Sequence, residues 1–205
     1  LASFNVKVEE MQSLKVGEVT ENLCLSRIPG DKRSKICSPE DTAKNGSDIS
    51  MLVAHAFREM AKASDIAIQN GGGVRTDIAK GAMTMGDAYK LLPFANTLVE
   101  MDMTGAEIKT VLEEALDYAL QPDGSTGAYP YAAGLRWHVK LAAPLGERLS
   151  KMEFKGRDDE SWSPLQMDRT YRLVTNNYIA AGRDGYLSFK TVKNEGRYTD
   201  TYLDY

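Results

Sequence analysis

Two hydrophobic periods alternate along the first part of the chain, and that alternation limits the folds open to it more than any other feature. After the turn-prone "KNGSD", the apolar positions Ile49, Leu52, Val53, Ala56, Phe57 and Met60 recur at helical spacing and predict an amphipathic helix. The apolar "DIAI" of residues 65–68 then reads as a strand. In "TMGDAYKLL", Thr84 and Asp87 have capping-box spacing and predict a second, short helix. The stretch "TLVEMDM" sets Val99, Met101 and Met103 against Glu100 and Asp102, the alternation of a half-buried strand. Thr104 and Glu107 repeat the capping-box spacing before a helix that carries Ile108, Val111, Leu112, Ala115, Leu116 and Ala119 on one face, and "QPDGSTG" ends it.

Further on, the period shortens to two. Leu135, Trp137, Val139 and Leu141 alternate with Arg136, His138 and Lys140, "YRLVTNNYIA" is another strand-like run, and "AGRDGY" interrupts it with glycines around Arg183 and Asp184. No fixed-period repeat, low-complexity tract or long linker divides the chain. The economical fold class is α+β, helices packed on mixed β-sheets in one domain over residues 1–205.

With 42% hydrophobic and 26% charged residues the chain is too apolar for disorder. A net charge of -4 argues against nucleic acid or an anionic membrane as partner while leaving room for a local basic pocket. No apolar run is long enough to span a bilayer. The chain opens on Leu1 without a basic segment and apolar core, as a processed or excised piece would. Cys24 and Cys37 bracket a polar loop, "LSRIPGDKRSKI". In an exported protein they would staple it, in a cytosolic one they would be two thiols, and the compartment rule favours the staple. No second Cys or His pair lies near them for a zinc site.

The stretch "AIQNGGGVRTD" runs a strand into three glycines and an arginine. It lacks the Gly-Lys-Ser/Thr ending of a phosphate-binding loop, and no G-x-G-x-x-G fingerprint is present. Bare glycine backbone lets either another segment or a ligand lie directly against it, and both readings stand. His55 falls off the apolar stripe of its helix and His138 shares the polar phase of its strand, so both read as solvated surface groups. No G-x-S-x-G elbow appears. The aromatics Phe94, Tyr129, Tyr131 and Tyr178 fall in predicted loops, where a ring is either a core plug or a stacking surface for a flat heterocycle. Asp184, beside small glycines, is placed to accept hydrogen bonds from sugar hydroxyls.

In that order, "QNGGGVRTDI", "LLPFANTLVEMDMTG" and "TNNYIAAGRDGY" resemble the C-terminal domain of the 5'-nucleotidase family, which includes secreted bacterial 5'-nucleotidase/UDP-sugar hydrolases, animal ecto-5'-nucleotidase and bacterial periplasmic NAD nucleotidases. The similarity runs from about Arg27 to the end of "GRDGY", and "STGAYPYAAGLRW" also looks like the family. The resemblance implies that Asn70, Gly72 and Arg75 face the substrate, with Arg75 on phosphate or ribose. It implies that Phe94 and Tyr178 sandwich the base, although phenylalanine is frequent at the second position, and that Asp184 binds the ribose hydroxyls. Asn96 and Gly127 match weaker positions near the base. A further family arginine aligns to Arg33, with Arg27 as the reserve.

The resemblance further implies an N-terminal metallophosphoesterase domain carrying two divalent metal ions, whose D-x-H and G-N-H-E/D stretches do not occur in this chain. It implies no catalytic residue, metal or cofactor in the present domain, which would select and position nucleotide while the other domain activates water. Domain rotation carries substrate to the metals in such proteins. The implied location is periplasmic or extracellular, the ligand a nucleoside or nucleotide, and the alternative a stand-alone nucleoside-binding module.

Overall fold

The computed structural model describes residues 2–204, with side chains described from residue 7 to residue 200. In chain order it forms α1 (Ala2–Ser13), β1 (Lys15–Val19), α2 (Pro39–Thr42), α3 (Asp48–Met60), β2 (Ile66–Asn70), β3 (Gly81–Thr84), α4 (Met85–Leu91), β4 (Thr97–Thr104) and α5 (Gly105–Leu120). There follow β5 (Pro130–Ala133), β6 (Leu135–Val139), β7 (Leu149–Phe154), β8 (Ser163–Pro164), β9 (Thr170–Asn176), α6 (Asn177–Ala180), α7 (Leu187–Asn194) and β10 (Tyr198–Asp204). Thr84 with Asp87 and Thr104 with Glu107 both close capping boxes, heading α4 and α5 as their spacing predicts.

The central sheet has the order β10-β4-β9-β2-β5 and is mixed, because β2 and β9 run parallel while the other neighbours are antiparallel. Period-two side chains serve two cores. Ile66, Ile68, Val99, Met101, Met103 and Leu173 point to one face, where Ile108, Val111, Leu112 and Leu116 of α5 cover them. Ala67, Leu98 and Val174 point to the other, against Ile49, Val53 and Phe57 of α3. Both faces are therefore buried, and the α+β class holds with helices on mixed sheets.

Burial on both faces corrects two expectations. Glu100, assigned to a solvated face of β4, is 8% exposed because the α3 side covers it; its carboxylate accepts a 2.7 Å hydrogen bond from Ser64 Oγ and lies 3.6 Å from Arg172 Nε. On α3, Leu52 and Ala56 are exposed, and Ser50 and Ala54 turn inward with Ile49, Val53 and Phe57. A serine is tolerated there because Ser47, the helix cap, donates its hydroxyl to Ser50 Oγ at 2.8 Å and accepts from Ser50 N at 3.1 Å.

The run "YRLVTNNYIA" is not strand throughout. β9 stops at Asn176, whose side-chain oxygen accepts from Ile179 N at 3.1 Å and starts α6. Cys24 and Cys37 form a disulfide across the loop they bracket. Asp77 ties the same loop down, accepting from Leu25 N at 2.6 Å and Lys35 N at 2.8 Å.

Register puts four segments at one end of the sheet. Asn70 ends β2, Asn176 ends the parallel β9, Thr97 starts β4 with Leu98 opposite Asn176, and Pro130 starts β5 opposite Asn70. The glycine turn, the "PFAN" loop, the "STGA" turn and α6 all leave from that end.

Candidate functional site

The four segments enclose a cleft of about 390 Å³. Its floor is glycine on glycine. Gly71–Gly73 and Thr126–Ala128 are single 3-10 turns that meet face to face, and a Cβ on Gly72 would lie 3.0 Å from Gly127 Cα. Gly73 is constrained from beneath, since a Cβ there would come within 2.3 Å of the buried Gln69 Nε2. The triplet's backbone packs on another segment, and Gly72 and Gly73 also line the cleft.

Two aromatic rings line the cleft. Phe94, in the loop before β4, and Tyr178, on α6, are 52% and 44% exposed, so neither is a core plug. Their segments are tied together by Thr97 N, which donates to Asn177 Oδ1 at 3.2 Å. Arg75 lies 5.5 Å from the Phe94 ring centroid and donates to Gly72 O at 3.1 Å. Tyr129 and Tyr131 take the other course and are buried at 4% each. The Tyr131 hydroxyl accepts from Ser47 N and donates to Ser26 O at 2.9 Å, which anchors the segment bearing Arg27. Burial pushes the Tyr129 hydroxyl up to about 12, so it stays neutral.

Beside Tyr178 stands Asp184, in a left-handed backbone conformation (φ 54°) that aspartate tolerates, between Gly182 and Gly185, themselves at φ 81° and 80°. Its carboxylate accepts from Asn70 Nδ2 at 2.9 Å and from the Tyr178 hydroxyl at 3.1 Å. Partial burial, followed by the Asp184 charge, raises the Tyr178 hydroxyl above its ordinary value, which keeps it a donor. Asn70 is held from behind by the buried Asn176, whose Nδ2 donates to Asn70 Oδ1 at 3.1 Å and to Gln69 Oε1 at 2.7 Å.

Asn70, Gly72, Arg75, Phe94, Asn96, Gly127, Tyr178 and Asp184 all line this cleft, and Arg33 does not: it is exposed outside the lining, and Arg27 takes that place. The loop turns on Asp31, whose carboxylate accepts from Arg27 N, Ile28 N and Arg33 N, and of the two arginines on that turn only Arg27 reaches the lining. Burial, then the guanidinium charges of Arg33 and Arg75, lower Arg27 below the ordinary arginine value without costing it its proton. A cation cluster beside a donor-rich glycine turn is a place for an anion. Ser125 and Gly73 also line the cleft without having been singled out from the sequence. Ser125 accepts from Gly127 N at 3.2 Å and carries no separate sequence signal. A second cleft of about 410 Å³, between Met51 and Trp137, is lined by Tyr129 and Tyr131 and by none of the residues that the family resemblance singles out. Among the described residues no group of three or more His, Cys, Asp or Glu could hold a metal ion, and His55 and His138 are exposed.

Fold and cleft together define an α+β domain with a cleft that joins aromatic rings, a carboxylate and arginines. A family model described as the 5'-nucleotidase C-terminal domain matches residues 16–192, and the chain belongs to that family. The NAD 5'-nucleotidase of Haemophilus influenzae is 39% identical over 181 residues, 87% of this chain and 30% of that protein. A probable 5'-nucleotidase of Treponema pallidum is 46% identical over 140 residues, 68% of this chain and 23% of the relative. The solved structure of Haemophilus influenzae NAD nucleotidase superposes with a TM-score of 0.84 at 35% identity, covering 99% of this chain and 35% of that one. The chain thus spans about a third or less of the length of each of these relatives.

Proposed function

We propose that this chain is the substrate-binding domain of a secreted or periplasmic 5'-nucleotidase, an enzyme that hydrolyses nucleoside 5'-monophosphates, or related nucleotides such as a UDP-sugar or NAD, to nucleoside and phosphate. The observation that carries the reading is the convergence of half-exposed Phe94 and Tyr178 with the Asn70–Asp184 pair on one cleft. The two rings sandwich the base, as π-faces do in nucleic-acid sites. Asp184 and Asn70 take the ribose hydroxyls. Arg75 and Arg27 meet the phosphate, and Asn96, Gly127 and Gly72 border the base. The Cys24–Cys37 disulfide is in keeping with an oxidising compartment.

Hydrolysis belongs to a partner, an N-terminal metallophosphoesterase domain of the same polypeptide with two divalent metal ions that activate water. The work of this domain is to bind, orient and present the nucleotide. Calorimetric titration of the chain with adenosine, uridine, AMP and NAD tests the reading. Saturable binding of a nucleoside, tightened by a 5'-phosphate, is expected; no heat with any of the four overturns it.

A further inference from the structure

The polar chain behind the cleft fixes which way the Asn70 amide points, and the logic starts from a backbone group. Ile179 N can only donate, so the Asn176 atom 3.1 Å from it is the side-chain oxygen. The Asn176 amide nitrogen therefore faces the other way, and its two N–H groups meet two acceptors, Gln69 Oε1 at 2.7 Å and Asn70 Oδ1 at 3.1 Å. With its oxygen engaged from behind, Asn70 must turn its own amide nitrogen forward. One N–H goes to Asp184 Oδ2 at 2.9 Å, and the second is left for an acceptor in the cleft. Asn176 is fully buried, so water does not compete for these bonds.

We infer that Asn176 is a positioning residue that sets the donor and acceptor polarity of the ribose subsite, and with it the preference for a ribonucleoside over a 2'-deoxynucleoside. The inference rests on the proposed nucleoside reading. With Asn70 held as a donor and Asp184 as an acceptor, the subsite offers a vicinal diol a carboxylate for its O–H groups and an N–H for its oxygens. Were the Asn70 amide reversed, its oxygen would stand against the Asp184 carboxylate, acceptor facing acceptor, and the pair would separate. The same residue caps α6, which carries Tyr178 two positions later, so one side chain aligns the diol-binding groups with the stacking ring.

Substitutions that keep the cap while removing the amide N–H pair isolate this role. Asn176→Ser retains a hydroxyl for Ile179 N, since serine is as good a cap as asparagine. Asn176→Asp is isosteric and also caps, but presents a second oxygen where Gln69 and Asn70 require N–H groups, which turns both amides round. The readout is the affinity ratio of adenosine to 2'-deoxyadenosine for the 205-residue chain, by calorimetry, with thermal melting as a check on folding. The parent chain is expected to prefer adenosine by ~10-fold or more, the worth of one hydrogen bond to a charged acceptor. In either variant the ratio falls to within ~3-fold of unity, because adenosine loses more affinity than 2'-deoxyadenosine, which uses the subsite through its 3'-hydroxyl alone. A role confined to packing lowers both affinities alike and leaves the ratio intact, which overturns the inference, as would failure of both variants to fold. If the parent chain binds neither nucleoside, the nucleoside reading itself fails. If it binds both equally, the assignment of the diol to Asp184 fails.

Discussion

Truncating either ring of the cleft separates stacking from core packing. Phe94→Ala and Tyr178→Ala remove side chains that are 52% and 44% exposed, so neither leaves an enclosed cavity. A buried phenylalanine costs ~3 to 5 kcal/mol on truncation, which for a domain of this length is a fall in Tm of roughly 6 to 20 °C. The interactions Phe94 makes in the free protein come to much less. Its ring contact with Arg75 at 5.5 Å is worth ~0.5 to 1 kcal/mol at an exposed site. Tyr178 loses its bond to the Asp184 carboxylate at 3.1 Å, ~1.5 kcal/mol, the low end for a charged acceptor at a site 44% exposed. Melting temperatures are therefore expected to fall by only a few degrees, at about 2 to 4 °C per kcal/mol. Adenosine affinity should drop by about 1 to 3 kcal/mol per ring lost, roughly 5- to 150-fold in Kd. Tyr178→Phe keeps the π-face and removes only the hydroxyl, so its loss should be smaller than that of Tyr178→Ala. Calorimetric titration alongside thermal melting decides it: a folded Phe94→Ala chain with parental adenosine affinity refutes the stacking argument, and a core-sized fall in Tm returns the rings to a packing role.

Three further outcomes follow from particular contacts. Reducing Cys24–Cys37 should destabilise the chain by about 3 kcal/mol, the loop-entropy scale for a closure of this length; thiols freely alkylated in the untreated, oxidised protein would remove the staple. Arg197 donates to Glu107 at 2.6 and 3.1 Å, and this bond, ahead of the capping bonds from Thr104, lowers the Glu107 carboxyl from 4.5 to about 2. A depressed carboxyl contributes stability that is present above pH 4.5 and lost as pH falls toward about 2, so parent and Glu107→Gln melting curves should converge over that window; both side chains are about a third exposed, which holds the gap above it to ~1 kcal/mol or less, and a gap independent of pH would contradict the pairing. Arg75→Ala should weaken AMP binding more than adenosine binding, whereas equal losses would move Arg75 from the phosphate to the ribose or to its tether on Gly72 O.

What the sequence makes legible here is what local chemistry decides. The capping boxes at Thr84 and Thr104 are each complete within four residues, and both helices begin where the spacing puts them. The errors come where a distant element covers a face. Nothing near Glu100 shows that Ser64, beyond the end of α3, and Arg172 of β9 will meet its carboxylate, and nothing near Leu52 shows that Ser50 can go inward because Ser47 satisfies its hydroxyl. Tyr129 and Tyr178 look alike as aromatics beside glycine and asparagine. The first is buried because β5 is the strand hydrogen-bonded to β2, and the second stays open because it stands on a four-residue helix at the sheet's end.

The choice between Arg27 and Arg33 shows the same boundary at the scale of a single side chain. Both lie in one disulfide-closed loop of similar composition, and alignment on arginine alone could favour either. Three long-range contacts choose between them: Asp77, 52 residues from Leu25 and 42 from Lys35, anchors the two flanks, and Tyr131, 105 residues from Ser26, holds the carbonyl next to Arg27. Within the loop, Asp31 then gathers the amides of Arg27, Ile28 and Arg33 about one carboxylate. Arg27, on the Tyr131 side of that turn, is carried over the Gly127 backbone, with its guanidinium carbon 3.6 Å from where a Cβ on Gly127 would stand. A Cβ at 127 would press on Gly72 Cα at 3.1 Å but would only touch the Arg27 guanidinium at ordinary van der Waals distance, so the Gly72 backbone is what calls for glycine there, and Arg27 reaches the cleft by packing over that bare turn.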